Sequence, residues 1–542
     1  MMYKCWNTVA ILALVTATAA AGAAAQRAAQ IPVDTAAMDA HLRFLASDLL
    51  EGRAPATRGG RLAAEYIATQ FQALGLQPAG ANGTYFQPVA LVGMTPDPTL
   101  SWGKAGGSTD TLAYRDAFVA WGERPEADIA ASGDVVFVGY GIRAPEWQWD
   151  DYKDADLHGK VLLMLVNDPG LVDSTLFLGK ILTYYGRWTY KLEEAARQGA
   201  AGAILIHTTE SATYPWEVVR GSWSVEQFKL DQPHSPSIAF AGWVTEASAR
   251  AALTKAGAGL NLDSLSQAAA RRDFHPVATG VLVSVRIHSA LRRVESENVA
   301  ARLPGRDPRL ASQAVLITAH WDHKGIGPAI RGDSIYNGAE DNASGVAAIL
   351  GAAKALTQLP RTARSILFVA TTAEESGLLG SEAYVQRPLV PLGQTAAVLN
   401  LDVTNVRGAT RDIGALGMDR STLGPVFEAA ARAESLTVES QPDVRGSFFR
   451  SDHFPFARSG VPALSIKPGV DFVGRPKEWG VQQENAYNQD RYHQPSDEYQ
   501  ATFRFDGMAQ QVRVTVRAAR AIANDPTMPR WLTSSEFRRP QP

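Results

Sequence analysis

Apolar residues recur along this chain at two periods, and the alternation between them predicts its elements. Residues 38–51 carry apolar positions at helical spacing, and residues 62–76 place Ala63, Ile67, Phe71 and Leu74 on one stripe that Gly75 ends. An Asn82-Gly83 turn precedes a strand at 85–92. The stretches 134–140, 160–167 and 203–207 are strand-like, with a helix at 190–198 that ends at Gly199. From Val281 onward, strands are predicted at 281–287, 296–303, 315–318, 365–371, 396–401 and 463–466. Helices at 346–356, 379–386, 425–433 and 506–524 follow and interleave with them. Strand and helix in this order predict an α/β fold with a mainly parallel or mixed central sheet flanked by helices.

The pattern changes character over 130–280, where Trp147, Trp149, Tyr152, Tyr184, Tyr185 and Trp188 crowd together. A β-rich insert is expected there, interrupting a discontinuous domain at 36–129 and 281–525. His158 and His207 within it have no carboxylate at ligand spacing and are expected to be ordinary histidines. The tail 526–542, rich in Pro, Arg and Ser, is expected to be loosely held.

Composition narrows the class. A chain of 542 residues exceeds one ordinary domain, and 46% apolar with 20% charged residues is that of a globular protein. A net charge of −3 gives no reason to expect nucleic acid as a partner. Lys4, the apolar run 9–15 and the Ala23-Ala24-Ala25 site form a signal peptide over 1–25, so export to the periplasm or the medium is expected. No later run approaches the ~18 apolar residues of a membrane span, so no stable membrane insertion is expected. The one cysteine, Cys5, leaves with the signal. Any metal must therefore be held by His and carboxylates, without thiolates.

The chemistry gathers at strand ends. The strand at 315–318 runs into His320, Asp322 and His323, and Asp341 marks the loop-to-helix boundary before 346–356. Glu374-Glu375 follows the strand 365–371, Asp402 follows 396–401, and His493 lies in Tyr492-His493-Gln494-Pro495. A lone Glu-Glu pair is ordinarily solvated surface, Asp402 alone could be a helix N-cap, and Asp452-His453 could be a structural ion pair. Co-occurrence changes the weighing. Three consecutive apolar strands each deliver acidic or imidazole groups at the carboxyl end, where open α/β sheets bind ligands. Carboxylates grouped there repel one another unless a cation compensates them.

The motifs AHWDH (319–323), EDNASG (340–345), TAEESGLLGS (372–381), NLD (400–402), RSDHFPF (450–456) and YHQPSD (492–497) together resemble those of the co-catalytic di-zinc aminopeptidase family, the peptidase family M28 type. The resemblance spans 36–125 and 290–525, and the insert is similar to the protease-associated domain that many such enzymes carry. It implies two zinc ions per chain, with Asp341 bridging them. His320 and Asp402 would complete one site, Glu375 and His493 the other. It further implies Glu374 as general base, Tyr492 as the group steadying the tetrahedral oxyanion, Asp322 as the carboxylate orienting His320, and a cis peptide at Asp341-Asn342. His323 receives no role and is expected to be structural.

The expected function is an exported zinc aminopeptidase acting on peptide substrates. A peptidase of the glutamate carboxypeptidase kind is the alternative, with Arg445 and Arg450 available for a substrate carboxylate. A glutaminyl cyclase stands further off because of the attached insert, and a non-catalytic binding protein because every ligand position is filled.

Overall fold

Strands 314–320, 365–371 and 395–401 are apolar on both faces, and a strand of that kind must be covered on both sides. The computed structural model, which describes residues 31–539 apart from 105, 233–236, 258, 440–442 and 444, shows how. The expected signal peptide and Cys5 lie outside the described residues.

The three strands run parallel, in the order Thr395–Leu401, Ala314–His320, Ser365–Thr371. Ala463–Pro468 continues the parallel set beside Thr395–Leu401, and Asp412–Leu416 pairs antiparallel at the outer side. The sheet is mixed. Val315, Ile317 and Ala319 turn to the face covered by helices Arg58–Ala73, Ser344–Thr357 and Asp506–Asn524. Leu316, Leu367 and Val369 turn to the other face, under Leu379–Gln386 and His453–Arg458. Helix Ser344–Thr357 is apolar nearly all round and correspondingly buried.

The two strands expected at 281–287 and 296–303 are one continuous strand of 27 residues, Val277–Leu303. Its polar middle, with Arg292, Arg293 and Glu295, looks like a break in sequence. In the fold it pairs with the 19-residue strand Phe86–Lys104 as a ribbon, from Val281 opposite Lys104 to Val299 opposite Phe86. Arg292 meets Glu226 at 2.6 Å and Arg293 meets Asp231 at 3.1 Å, so the charges have partners at the surface. One end of the long strand joins Ser365–Thr371, and the other joins Asp128–Phe137 in the insert. Among the described residues, one 16-stranded sheet thus runs through both parts of the chain.

The insert is α/β, with Asp128–Phe137, Val161–Leu165, Gly202–His207 and Phe240–Thr245 parallel in sequence order. Helices Trp188–Arg197, Glu246–Ala256 and Leu262–Ala269 belong to it. Phe118–Gly122 pairs with Phe240–Thr245, so residues expected upstream of the insert close its sheet edge. His207 has its Nε2 3.0 Å from the carbonyl of Tyr214, an ordinary buried arrangement.

The stretch after Pro526 is a correction. Trp531 and Phe537 are buried against the lower face of the sheet, Trp531 Nε1 donates to the Gly460 carbonyl at 2.9 Å, and Arg539 donates to the carbonyls of Thr395 and Ala396. Its polar composition hid two apolar anchors. No helix among the described residues is long and apolar enough to cross a membrane.

Candidate metal centre

Two strands of the parallel trio end in sharp turns. Ala373 after Ser365–Thr371 and Val403 after Thr395–Leu401 have φ of 51° and 59°, and His493 has 56°. Non-glycine residues hold this left-handed backbone only where the surroundings impose it, and such positions gather at functional sites. The turns aim Glu374, Glu375 and Asp402 into one crevice with His320. Asp341 enters from the irregular turn ahead of helix Ser344–Thr357, and the Asp341–Asn342 peptide is cis.

Asp341 stands between two imidazoles. Its Oδ1 is 3.2 Å from His320 Nε2, and its Oδ2 is 3.2 Å from His493 Nε2. His320 Nε2 is also 3.4 Å from Asp402 Oδ1, and His493 Nε2 is 3.1 Å from Glu375 Oε2. The result is two histidine–carboxylate clusters with one shared carboxylate; among the described residues, His320, Asp341 and Asp402, and likewise His323, Asp341 and Glu375, bring their donor atoms close enough together to hold a metal ion. Donor atoms about 2.0–2.1 Å from a tetrahedral zinc stand roughly 3.3–3.4 Å apart, so these separations fit such an ion closely.

The electrostatics fit as well. Burial opposes the charge on Asp341, as does neighbouring Glu375, yet contacts from His320 and His493 hold it below the usual carboxylate range. Burial likewise opposes charge on Glu375, while His493, Lys324 and His323 hold it well below. His320 and His493 are desolvated, but the facing carboxylates keep both raised. The carboxylates thus favour positive charge at this place, which divalent cations would supply, and metal binding to imidazoles is coupled to proton release.

A second layer fixes the loop that carries Asp341. The main-chain N–H groups of Glu340 and Asp341 donate to the Asp497 carboxylate at 3.1–3.2 Å, and Ala339 N–H donates to its carbonyl at 2.9 Å. Glu340 is wholly buried between Arg491 at 2.9 Å and Arg407 at 2.5 Å. Asn342 ties this loop to the Asp402 turn: its Nδ2 donates to the Leu401 carbonyl, and its Oδ1 accepts from Gly345 and Val403. A Cβ on Gly345 would collide with Asn342 Oδ1 and the Leu401 carbonyl. Asp497, Asn342 and Glu340 were legible as motif letters but not as supports, because their partners come from distant segments.

Asp322 is buried and pushed up to about 7, by burial first and by Glu375, with His320 opposing. It differs from expectation in detail. His320 Nδ1 is 3.2 Å from the main-chain oxygen of Asp322 and 3.8 Å from its carboxylate, whose Oδ1 accepts from Glu374 N–H at 3.1 Å. Asp452 accepts from Thr371, and His453 packs on Phe448, so the two do not form the ion pair their adjacency suggests. His323, expected to be structural, lies inside the site with Nδ1 2.6 Å from Glu375 Oε1. Sequence gave no role for it.

Glu374 makes no ion pair among the described residues and faces the cleft beside His320, Asp341 and Glu375. Burial raises its carboxyl well above the ordinary range, with Asp402, Glu375 and Asp452 adding to the effect against His320. Tyr492 stacks on His493 with ring centroids 3.8 Å apart and is 43% exposed at the cleft. Desolvation of its phenol, then the charges of Asp341, Glu375 and Glu374, hold it well above its ordinary value and keep it a donor.

The insert supplies the opposite wall, including Arg187 and Tyr214. Tyr184 packs on Phe454 and Phe449 at 5.1 and 5.6 Å, and Arg458 meets Glu193 at 2.8 Å. Arg187 Nε and Arg450 Nε are buried without a hydrogen-bond partner.

Residues 298–515 match the model of peptidase family M28. Probable leucine aminopeptidase 2 of Aspergillus oryzae is 27% identical over 278 residues, 48% of this chain and 52% of that protein. Aminopeptidase YwaD of Bacillus subtilis is 28% identical over 185 residues, 34% of this chain and 35% of that protein. This chain spans about half or less of the length of these curated relatives. The solved aminopeptidase from Aneurinibacillus sp. strain AM-1 has a TM-score of 0.50 at 19% identity, covering 94% of this chain and 98% of that one. That likeness is one of fold.

Proposed function

From the match of residues 298–515 to the model of peptidase family M28 we propose that this protein is an exported zinc aminopeptidase that removes N-terminal residues from peptides. The observation that carries the reading is the shared carboxylate. Asp341 offers one oxygen to each of two imidazole–carboxylate sets, as a two-ion site needs. His320, Asp341 and Asp402 would hold one zinc ion, and Asp341, Glu375 and His493 the other. Zinc held there would polarise the scissile carbonyl and lower the pKa of the attacking water.

The chain's own residues do the rest. Glu374 takes the proton of the attacking water and hands it to the leaving amine, which suits a carboxyl whose affinity for protons is raised. Tyr492 donates its phenolic proton in a hydrogen bond to the oxyanion. Asp322 steadies His320 through its main-chain oxygen and the Glu374 turn through its carboxylate. The 130–280 insert serves as a protease-associated domain that walls the cleft and positions substrate.

One observation favours a second reading. Arg187 and Arg450 both face the cleft with an unpaired buried Nε. Burial, then the nearby charge of Arg450, pushes Arg187 down to about 9. A substrate carboxylate on the leaving side would satisfy both, as in a glutamate-carboxypeptidase-like enzyme. The test offers aminoacyl, N-blocked and C-terminal glutamyl substrates to the purified protein, with zinc and with chelator. Chelator-sensitive cleavage of free aminoacyl substrates alone supports the aminopeptidase. Cleavage of N-blocked glutamyl peptides replaces it with the second reading, and no chelator-sensitive cleavage rejects both.

A further inference from the structure

Glu375 is gripped at both oxygens. Oε2 lies 3.1 Å from His493 Nε2 and 2.9 Å from Lys324 Nζ. Oε1 lies 2.6 Å from His323 Nδ1. His323 is 1% exposed, and its ring is caged. Its main-chain N–H donates to the Arg53 carbonyl at 3.3 Å. Gly338, at φ 57°, approaches so closely that a Cβ there would stand 2.6 Å from the ring's Cγ and Cδ2. The His493 ring stands edge-on, 5.7 Å away between centroids. Arg53 itself donates to the carbonyls of Trp321 and Gly338, which pins both sides of the cage. No hydrogen bond of regular geometry reaches either ring nitrogen of His323 or Oε1, and the ion-pair contact between Nδ1 and Oε1 is the polar neighbour those two atoms have. Buried polar atoms are rarely left so, which makes this contact the one that serves them.

Two roles compete for His323: a further ligand of the ion, since its donor atom lies within ligand reach of Asp341 and Glu375, or the partner that orients a ligand. Distance decides between them. Contacts among His320, Asp341, Asp402, Glu375 and His493 run from 3.1 to 3.4 Å, close to the roughly 3.3–3.4 Å edge of a tetrahedral zinc site. The His323 contact, at 2.6 Å, is shorter than all of these and lies nearer the ~2.7–2.9 Å of a charge-assisted N–H···O contact than the separation of two ligands on one ion. It also engages the opposite oxygen from the one His493 faces.

We propose that His323 is a positioning residue, whose Nδ1–H holds Oε1 of Glu375 so that Oε2 faces the place shared with His493 and Asp341. The inference rests on the two-ion reading above. Lys324 is the group that yields when a cation takes that place: its side chain is 31% exposed, and its Nζ is already 3.4 Å from the Glu375 carbonyl. His323, caged, keeps its hold. It therefore governs the affinity of one ion position and leaves the other alone.

The test measures stepwise zinc affinity by competition with a chromophoric chelator, on the full chain and its His323→Phe and His323→Asn variants. Phe fills the cage without a donor, and Asn returns an N–H near the place of Nδ1. His323→Phe should weaken one zinc step about 10–100-fold, the usual cost of losing a partner to a ligand, while the other step stays near the parent's. His323→Asn should recover most of that loss. Thermal unfolding in chelator verifies that each variant is folded, and His323→Ala replaces Phe if it is not. Parent-like affinity in the donor-less variant overturns the proposal. So does an Asn variant as weak as the donor-less one, with both matching the loss in His493→Ala, which would make His323 a ligand. A parent chain that binds fewer than two zinc ions refutes the two-ion reading first, before any variant is compared.

Discussion

The adjacent pair Glu374-Glu375 separates two duties that one residue type could serve. Glu375 points to His493 and His323, whereas Glu374 faces the cleft without an ion-pair partner. Glu374→Gln keeps shape but accepts no proton. It should lower kcat about 10⁴-fold or more, at or beyond the upper end for general acid–base groups, with zinc content unchanged. Glu375→Gln should instead lower zinc occupancy. Metal analysis beside steady-state kinetics on both variants checks this, and equal zinc loss in the two would reverse the assignment. His453 gives a pH prediction. Burial, with Lys467 adding, pushes it from 6.5 down to about 3. Between those values the unfolded chain binds a proton that the folded chain refuses, so stability falls as pH falls through that window. His453→Gln should flatten this fall by up to about 1.4 kcal/mol per pH unit between roughly pH 6 and 4. Denaturant unfolding in chelator, compared as slopes, measures it. Equal slopes would mean that His453 is protonated in the fold.

At the scale of elements, the same short segments that end the strands carry the chemistry, and longer elements hold them still. The loop before helix Ser344–Thr357 is tied to Asp497 and, through Asn342, to the Asp402 turn. Both ion positions therefore depend on one loop. Asp497→Asn should weaken both zinc steps together, about 10–100-fold by analogy with other outer partners of ligands. His320→Ala and His493→Ala should each empty mainly one. A zinc titration resolving two steps distinguishes these patterns. The C-terminal stretch gives a stability prediction, because Trp531 plugs the lower face beneath the sheet and bonds to Gly460. Trp531→Ala should cost about 3–5 kcal/mol by denaturant unfolding, as for other buried Trp truncations. A change below about 1 kcal/mol would mean the tail is not docked in solution.

For the whole molecule, the long ribbon makes the insert an extension of the same sheet, and its wall over the cleft follows from that continuity. Replacing 130–280 with a short linker should leave zinc binding intact but alter selectivity for peptide length, because Arg187 and Tyr214 leave with it. Kinetics on dipeptides against longer peptides tests this, and an unchanged ratio would remove the insert from substrate selection. Zinc removal should also lower the midpoint of thermal unfolding. Each step should recover with the logarithm of added zinc, since ligands that bind only the folded chain stabilise it by mass action.

The sequence by itself determined where the chemistry lies along the chain. Apolar runs such as 365–371 must be buried on both faces, so their ends mark the crevice, and the charged letters at those ends could be picked out locally. Helix 506–524 and strand 365–371 were legible to the residue for the same reason: their patterns are complete within themselves. What depended on distant partners was not legible. The polar middle of Val277–Leu303 looks like a loop until Phe86–Lys104 lies beside it. Trp531 and Phe537 look like strays until the lower face of the sheet receives them. Helix Trp479–Asp490 is apolar on no clear face, and only its place ahead of His493 gives it meaning. His320 and His323 stand three residues apart and are alike on paper. Tertiary structure alone gives them different partners, because Arg53 and Gly338 cage one ring against Glu375 while the strand end turns the other to Asp341 and Asp402.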